Sequence, residues 1–339
     1  MAKHSVIYFG TADFAVPSLQ RLSDLSDMFE ILAVVTQPDR QANRGMRPQF
    51  SPVKKLAVQL GLNVLQPEKA RCPEFLEQVK ELSPDVGVVA AYGQILKSAL
   101  LEIPRFGMVN IHGSVLPKYR GAAPIQWALW NGETETGVTL IRMDAGLDTG
   151  DMFAKALIPI EPTITAGALH DKLADLGADL VASDLPAYVQ GMAKFEKQNN
   201  ELSTYARKIS KADGVLDWSK PARQLDLQIR ALTPWPGAET WISSGSINGG
   251  TQTLKRVKIL QAREVVGGPL TLSFSQSGLP VAEQLACGEI IIGCGDGTFL
   301  EIQRLQLEGK KPMDAQAFLS GYTVNSQEPL GSSVTGNGD

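Results

Sequence analysis

Apolar, β-branched runs alternate with amphipathic helical segments along the first half of the sequence, and this alternation limits the folds open to the chain. Strands joined by crossover helices form a mainly parallel sheet with right-handed connections. The pattern therefore predicts an α/β fold with a doubly wound, mainly parallel, Rossmann-like sheet. The predicted strands are Val6–Phe9, Ile31–Val35, Val86–Ala91 and Met108–Ile111, and the predicted helices include Val53–Leu60 and Pro73–Leu82.

Two polar loops follow the ends of neighbouring predicted strands, namely Tyr92–Leu96 and Asn110–Gly113. In doubly wound sheets, ligands collect in the crevice outside the carboxyl ends of the strands. We therefore expect both loops to border one crevice. The turn at Gly10 lacks the rest of a G-x-G-x-x-G pattern, so no dinucleotide is implied.

The stretch V-N-I-H-G-S-V-L-P-K-Y-R-G-A-A-P-I-Q begins at Val109, and its strand-like part stops at Gly113. Side chains alternate faces along a strand, so Asn110 and His112 are expected to lie on one face. An imidazole can hold or release a proton near neutral pH, and an amide can donate a hydrogen bond to a developing oxyanion. The pair suits acyl transfer, although a single histidine is more often structural than catalytic.

A second polar cluster, M-D-A-G-L-D-T-G-D, spans Met143 to Asp151 between runs at Thr136–Ile141 and Met152–Ile158, which are expected to pair antiparallel. Its glycines permit sharp turns that can aim a carboxylate at a site. One of its aspartates is therefore a candidate to orient His112. The alternative, a plain hairpin turn, is the more common meaning of a loop rich in aspartate and glycine.

These two motifs together resemble the signature of the folate-dependent formyltransferases. Further stretches are similar to the same family in the same order: I-Y-F-G-T-A-D-F-A, V-V-T-Q-P-D-R, V-V-A-A-Y-G-Q-I-L and L-Q-L-E-G-K-K-P-M. The resemblance extends from about Val6 to Gly321, which no short motif would mimic. The sequence departs from the family at Val115, where leucine is more usual, and at Lys97, where proline is common; neither is a candidate group.

The resemblance implies transfer of a formyl group from 10-formyltetrahydrofolate to the amino group of an initiator methionyl-tRNA. It implies that Asn110, His112 and Asp148 are catalytic, with Asp148 holding His112 in position. Asp144 and Asp151 are expected to form turns or caps rather than to take part in the chemistry. The folate site that the resemblance implies contains Gln94, Ile95, Leu96, Ser114, Leu116, Pro117, Asp144 and Leu147.

The pattern of alternating strands and helices ends after a long amphipathic helix predicted at Thr165–Val189. Residues 190–204 are polar and are expected to link a formyltransferase catalytic domain, residues 1–189, to a second domain, residues 205–322. Short β-like runs separated by glycines predict a small β-barrel in the second domain, and the resemblance implies that this barrel is OB-like and binds tRNA. Residues 323–339 contain few apolar side chains and are expected to be a disordered tail.

Positive charge is concentrated in the second domain, although the whole chain has a formal net charge of −4. From Tyr205 to Arg263, ten lysines and arginines stand against four acidic residues, a local excess of six positive charges. A negatively charged partner such as tRNA is expected to dock on this segment, with Arg207, Lys208 and Lys211 as candidate contacts.

The loop from Thr36 to Ser51 has no secondary-structure pattern and contains Arg40, Arg44 and Arg47. A loop of this length inside a compact α/β domain is unusual and often functional, and the forked guanidinium group suits phosphate and base-edge contacts. The alternative is a solvated surface loop. The resemblance implies that this loop is an insertion that enters the acceptor arm of the tRNA.

Composition limits the remaining classes of protein. A length of 339 residues suggests two domains, and 43% hydrophobic with 20% charged residues is typical of a soluble globular protein. The sequence shows no signal-peptide pattern, no bilayer-spanning apolar run and no metal-ligand pattern among its cysteines and histidines. We therefore expect a cytoplasmic monomer that binds no metal.

Two other functions fit parts of the sequence. A folate-dependent formyltransferase could act on a small amine, such as a purine precursor or an amino sugar, but the basic second domain argues against this. A non-catalytic RNA-binding protein could use the same scaffold, but the complete set of Asn110, His112 and Asp148 argues against it.

Overall fold

The computed structural model of the chain describes residues 3–41, 48–246, 253–266, 277–281, 284–285 and 287–331. These residues separate into two units. Unit 1 comprises Met1–Ile125, Thr134–Ile160 and Ala168–Arg207, and unit 2 comprises Gln126–Glu133, Glu161–Gly167 and Lys208–Asp339. In the described part of the chain, no helix is both long enough and apolar enough to cross a membrane.

The elements up to the end of the first unit follow the predicted alternation. They are β1 His4–Gly10, α1 Val16–Asp24, β2 Phe29–Val35, β3 Arg40–Gln41, β4 Pro48–Gln49, α2 Pro52–Gln59, β5 Val64–Leu65, α3 Pro73–Leu82, β6 Val86–Ala90, α4 Ser98–Leu101, β7 Met108–His112, β8 Arg120–Gly121, α5 Pro124–Trp130, β9 Glu135–Arg142, β10 Met152–Pro159, α6 Ala166–Val189 and β11 Tyr205–Ala206. Among the described residues, seven strands form one sheet in the order β10-β9-β7-β6-β1-β2-β5. The predicted doubly wound sheet is therefore confirmed.

Helix α3 illustrates why these segments fold as they do. Pro73 opens the helix, where a missing N–H costs nothing, and Ser83 closes it in a left-handed conformation with φ +47°. Phe75 and Val79, one turn apart, are buried against the sheet core. Burying each of these side chains contributes about 1.5–3 kcal/mol. The predicted bounds of this helix are the observed ones.

The sheet brings the ends of β6 and β7 to the same edge. These two strands are adjacent and parallel, with Val89 opposite Asn110. β9 lies on the other side of β7, antiparallel to it, and pairs antiparallel with β10 as predicted. Because β9 runs opposite to β7, it ends beside the amino-terminal half of β7, where Arg142 pairs with Val109, and the loop that joins β9 to β10 begins there.

Unit 2 is mainly antiparallel. Its elements are α7 Ala222–Ala231, β12 Ala238–Ser246, β13 Thr253–Glu264, β14 Ile290–Gly293, β15 Phe299–Leu307, β16 Met313–Asp314, α8 Ala315–Leu319 and β17 Tyr322–Val324. The described strands pair in the order β14-β15-β13-β12-β17, with β16 also on β15. Alternate residues of β15 are buried, as expected for a strand with one face on a core. An antiparallel β domain thus follows the parallel sheet, which confirms the second half of the predicted fold class.

The loop predicted to lack secondary structure contains a short hairpin. Arg40 pairs with Gln49 and Gln41 with Pro48 in β3 and β4. Residues 42–47, which include Arg44 and Arg47, lie outside the described residues, and so does the Arg40 side chain. Two-residue strands give no periodic signal, which is why the sequence did not predict them.

The base of this hairpin is held by a polar cluster around Lys54. Lys54 Nζ lies 2.5 Å from Asp39 Oδ2 and donates to Gln66 Oε1 at 2.6 Å, while Gln66 Nε2 donates to Asp39 Oδ1 at 3.0 Å. Burial acts to raise the pKa of Asp39, but the hydrogen bonds from Lys54 and Gln66 outweigh it and lower the pKa. Asp39 therefore stays charged as an anchor for the first strand of the hairpin.

The predicted linker and the predicted disordered tail both make contacts that the sequence did not predict. The predicted linker, residues 190–204, belongs to unit 1, where Glu196 forms a β-bridge with Met152. In the predicted tail, Leu330 is buried at 5% exposure and Gly331 bridges to Trp241. A single apolar residue in a polar stretch is a weak sequence signal, so the docking of Leu330 was not predicted. Residues 332–339 lie outside the described residues.

Candidate active site

Asn110 and His112 lie at the carboxyl end of β7, where the sequence predicted a crevice. Pairing with β6 on one side and β9 on the other fixes the register of β7, with His112 opposite Thr139. The two polar side chains therefore share one face of the strand. His112 is buried at 5% exposure, whereas Asn110 is partly exposed.

Both ring nitrogens of His112 have a defined neighbour. Nε2 lies 2.9 Å from the backbone oxygen of Tyr119. Because a carbonyl oxygen only accepts hydrogen bonds, Nε2 is the donor in this pair. Nδ1 lies 3.7 Å from Oδ1 of Asp148. Nδ1 is thus the nitrogen left to exchange a proton, and a carboxylate stands beside it.

Asp148 connects the loop between β9 and β10 to both polar residues of β7. Its Oδ1 accepts a long hydrogen bond from Asn110 Nδ2 at 3.4 Å, and its Oδ2 accepts one from the backbone nitrogen of Gly121 at 2.8 Å. The Asp148 side chain is 13% exposed. Asn110, His112 and Asp148 therefore form one connected group, in which Asp148 approaches His112 without a short hydrogen bond to it.

The loop that carries Asp148 has a constrained backbone. Asp148 itself has φ +54°, a left-handed conformation that aspartate tolerates better than most residues. At Gly150, a Cβ atom would lie 1.9 Å from the backbone oxygen of Arg142, so only glycine fits. Asp144 Oδ1 accepts from the Gly146 nitrogen at 3.0 Å and from the Thr149 hydroxyl at 2.6 Å, which is the turn-forming role predicted for it.

The sequence did not predict two residues whose backbones bond to this group: Tyr119, which bonds to His112, and Gly121, which bonds to Asp148. They belong to the Y-R-G part of the motif, where Gly121 has φ +119° and a Cβ atom would lie 2.6 Å from the backbone oxygen of Ala206. That glycine was the available signal, since a position that excludes every other side chain marks a close backbone approach. Among the described residues, no cluster of three or more His, Cys, Asp or Glu is placed to hold a metal ion.

Comparison with known proteins identifies the family of the chain. The family model described as formyl transferase matches residues 2–185, and the model of the formyl transferase C-terminal domain matches residues 208–323. The chain belongs to the formyl transferase family. Curated members of the family are similar to it over nearly their whole length, so both domains of the relatives have counterparts here.

The methionyl-tRNA formyltransferase of Geobacter metallireducens is 47% identical over 98% of this chain and 100% of its own length. That of Caldanaerobacter subterraneus subsp. tengcongensis is 45% identical over 94% of this chain and 97% of its own. Among solved structures, the N-formyltransferase of Helicobacter canadensis, in complex with folinic acid and dTDP-3-aminofucose, aligns with a TM-score of 0.62. It is 23% identical, and the alignment covers 89% of this chain and 99% of that one. A likeness at this identity concerns the fold alone.

The loop after β6 contains the first three residues predicted for the folate site of this formyl transferase. The Gln94 amide is used within the protein, because Oε1 accepts from the Ala70 nitrogen at 2.9 Å and Nε2 donates to the Glu68 oxygen at 3.3 Å. Leu96 is buried in the core of the sheet at 6% exposure. Ile95, by contrast, is 77% exposed. Of the three, Ile95 is the side chain free to meet a ligand.

Ser114 and Leu116, also predicted for folate, have structural roles. Ser114 is fully buried and its hydroxyl donates to the Lys118 oxygen at 2.7 Å. Leu116 is 2% exposed and packs with Ile141 and Met152. Both side chains are therefore enclosed, and a contact of either residue with folate stays a prediction. Pro117, beside them, is partly exposed.

Leu147 lies in the loop between β9 and β10, one residue before Asp148. It is 54% exposed, which is unusual for a large apolar side chain at a polar loop. Asp144, in the same loop, is exposed but engaged in its turn. The loops after β6 and β9 thus each contain one large exposed aliphatic side chain, Ile95 and Leu147.

The candidate tRNA contacts in the two units are only partly described. Arg207, at the end of unit 1, and Lys208 and Lys211, at the start of unit 2, are all exposed. Arg44 and Arg47 lie outside the described residues, and Arg40 is described only by its backbone in β3.

The local excess of positive charge predicted from Tyr205 to Arg263 is partly neutralised in the fold. Arg230 is buried and donates to Asp226 at 3.1 Å, and Arg256 lies 2.5 Å from Glu239. Arg263 pairs at 2.5 Å with Glu301, an acid from outside the segment. Burial raises the pKa of Asp226, although Arg230 and Arg223 oppose this effect. At least three arginines of this segment are therefore paired with carboxylates.

Proposed function

We propose that the protein transfers a formyl group from 10-formyltetrahydrofolate to the amino group of initiator methionyl-tRNA. The observation that carries this proposal is that the Asp148 carboxylate lies beside both polar residues of β7, 3.4 Å from Asn110 Nδ2 and 3.7 Å from His112 Nδ1. Full-length relatives named methionyl-tRNA formyltransferase, at 41–47% identity, support the choice of acceptor. This activity serves translation initiation and belongs in the cytoplasm, and we expect the chain to act as a monomer.

Each residue of the group has a separate task in this proposal. The methionyl amine attacks the formyl carbon, whose carbonyl electrons move onto oxygen. Asn110 Nδ2 uses one hydrogen toward Asp148 and donates the other to this oxyanion, and protonated His112 stabilises the same charge. The bond between the formyl carbon and the folate nitrogen then breaks. The attacking amine loses a proton, and the folate nitrogen gains one. His112 and Asp148 assist this proton movement, either directly or through a water molecule.

The formyl donor is proposed to lie between the loops after β6 and β9. A flat heteroaromatic ring needs apolar walls and backbone hydrogen bonds along one edge. Ile95 and Leu147, the exposed aliphatic side chains of these two loops, are the residues we propose as walls. Gln94 supports this site indirectly, because its amide ties the loop after β6 to residues 68–70.

Two alternatives remain distinct from this proposal. A sugar or purine-precursor amine is the acceptor in one, and the fold neighbours include a sugar 3N-formyl transferase, at a TM-score of 0.61 and 20% identity. The other is a non-catalytic RNA-binding protein. A titration with 10-formyltetrahydrofolate, followed by incubation with methionyl-tRNA, tests both. We expect saturable binding and N-formylmethionyl-tRNA as product; no folate binding would contradict the proposal.

The exposed lysines after the first domain give a prediction about salt. If Lys208 and Lys211 bind phosphates, tRNA affinity should fall as salt rises, with a log–log slope of about −0.7 to −0.9 per phosphate bound. Replacing both with alanine in the whole protein should reduce the magnitude of that slope by about 1 for each lysine that binds a phosphate. Lys80→Ala, on the exposed face of α3, is the control for the change in charge. A slope equal to that of the unmodified protein would rule these lysines out as phosphate ligands.

The hairpin of β3 and β4 gives a second prediction. It follows β2, so it emerges on the carboxyl-end face of the sheet, and its base is fixed by Asp39, Lys54 and Gln66. We propose that Arg40 in β3, together with Arg44 and Arg47 in the segment that follows it, meets the tRNA acceptor stem.

Replacing all three arginines with alanine should lower kcat/KM for methionyl-tRNA by about tenfold or more, with folate binding unchanged. Arg105→Ala is a suitable control, because Arg105 is exposed before the amino end of β7, at the opposite edge of the sheet. Unchanged tRNA kinetics in the triple variant would remove the hairpin from the proposal.

A further inference from the structure

The segment after α6, predicted to be a linker, contains one side chain that reaches the loop of Asp148. Residues 194–200 are exposed except for Gln198, which is partly buried. Gln198 Nε2 donates to the backbone oxygen of Asp148 at 2.7 Å and to that of Gly150 at 2.8 Å. Both hydrogens of one amide are thus used on carbonyls on either side of Thr149.

The other end of the Gln198 side chain is held by Arg120. Oε1 accepts from Arg120 Nε at 3.0 Å and from Nη2 at 2.8 Å. A guanidinium group only donates and a carbonyl oxygen only accepts, so the orientation of the Gln198 amide follows from its partners. Arg120 Nη2 also donates to Asn200 Oδ1 at 2.8 Å, which fixes the guanidinium group from a second side.

These bonds close a ring around Asp148. Gly121, the residue after Arg120, donates its backbone N–H to the Asp148 carboxylate at 2.8 Å. The short strand that contains Arg120 and Gly121 is held in turn by pairing with Tyr205 and Ala206. The backbone of this strand therefore holds the Asp148 carboxylate. Gln198 holds the backbone oxygen of Asp148, and the Arg120 side chain in turn holds Gln198.

The ring acts on the residue of the loop whose backbone conformation is strained. Asp148 has φ +54° and lies between two glycines, Gly146 and Gly150, so its backbone is strained and its neighbours are permissive. Strained conformations of this kind persist when the surrounding structure over-determines them. Gln198 bonds the carbonyl of the strained residue itself.

We propose that Gln198 is a positioning residue for Asp148, held by Arg120, and that it sets the distance between the Asp148 carboxylate and the pair Asn110 and His112. The inference rests on the role of Asp148 in the proposed function. Gln198 bonds the backbone of Asp148 and not its carboxylate, so the proposal assigns it no contact with either substrate. Its loss should therefore lower kcat and leave the binding of folate and the KM for methionyl-tRNA unchanged.

Gln198→Glu is the sharpest test, because glutamate keeps the shape and the partner Arg120 but replaces two donors with acceptors facing two carbonyl oxygens. Glu196→Gln is the matched control: Glu196 is two residues earlier, and its side chain is 63% exposed and pairs with Lys155. We expect kcat to fall about tenfold to a hundredfold in Gln198→Glu and to be unchanged in the control. Thermal unfolding establishes that both variants fold.

The same substitution in an Asp148→Asn background separates positioning from general structural damage. If Gln198 acts through Asp148, Gln198→Glu should cost little further activity once Asp148 is changed. An equal loss in both backgrounds, a raised KM alone, or unchanged kcat in the single variant would each overturn the inference. If Asp148→Asn itself leaves turnover intact, the proposed function fails instead. Should Gln198→Glu not fold, Arg120→Lys, which loses the forked bond, is measured in the same two backgrounds.

Discussion

Replacing His112 with alanine is expected to lower kcat for formyl transfer by about a hundredfold or more, with the fold and the binding of folate retained. The imidazole acts on charge and protons that appear in the transition state, so its loss should not weaken the binding of either substrate. Asn110→Ala should fall in the same range, since it removes a hydrogen-bond donor to the oxyanion. Steady-state kinetics with methionyl-tRNA and a folate titration measure both effects.

A matched control lies at the opposite edge of the same sheet. His4, at the start of β1, also faces a carboxylate, with Nδ1 3.8 Å from Asp85 Oδ2, a distance close to that between His112 and Asp148. His4→Ala removes the same kind of pair away from the strand ends that form the site. We expect near-normal kcat in His4→Ala; near-normal kcat in His112→Ala would contradict the proposed chemistry.

Asp148→Asn is the second variant for which a large loss is expected, about a hundredfold to ten-thousandfold in kcat. Asparagine tolerates the left-handed conformation at this position, so the loop can keep its shape. Its amide oxygen can accept from Gly121, but its NH2 group then faces Asn110 Nδ2, from which the carboxylate accepted. Two donors would oppose each other there, and the carboxylate beside His112 Nδ1 would be lost.

Combining Asp148→Asn with His112→Ala tests whether these residues act as one unit. Because each depends on the other for its role, the double variant should be little worse than the poorer single variant. The measurement is kcat for the two single variants and the double variant at saturating folate and methionyl-tRNA. Multiplicative losses would indicate two independent contributions and would contradict the arrangement described here.

The sequence predicted much of the fold because its signals are local and periodic. The alternation along β7 predicted that Asn110 and His112 share a face, and the proline and apolar spacing of α3 predicted both of its ends. The mainly parallel, doubly wound character of the sheet followed from general rules for crossover connections, which need no knowledge of individual contacts. The antiparallel pair of β9 and β10 was predicted from the turn residues between them.

The details of the site depend on contacts that no local pattern encodes. Asp148 meets Gly121, 27 positions away, and Gln198, 50 positions away. The Ser114 side chain is buried and its hydroxyl donates to the Lys118 oxygen, a bond that the sequence did not predict. Residues 190–204 are polar, and most of them are exposed as this predicts. The same polar composition gave no signal for the hydrogen bonds from Gln198 to the Asp148 loop.

The acceptor amine is the part of the account that most needs a direct measurement. Radiolabelled formyl donor is incubated with the protein and equal concentrations of methionyl-tRNA, an amino sugar nucleotide and a purine-precursor amine, and the labelled products are separated. We predict that label appears in N-formylmethionyl-tRNA and that Asp148→Asn abolishes most of it. Label that accumulates on either small amine, with methionyl-tRNA left unmodified, would contradict the proposed function.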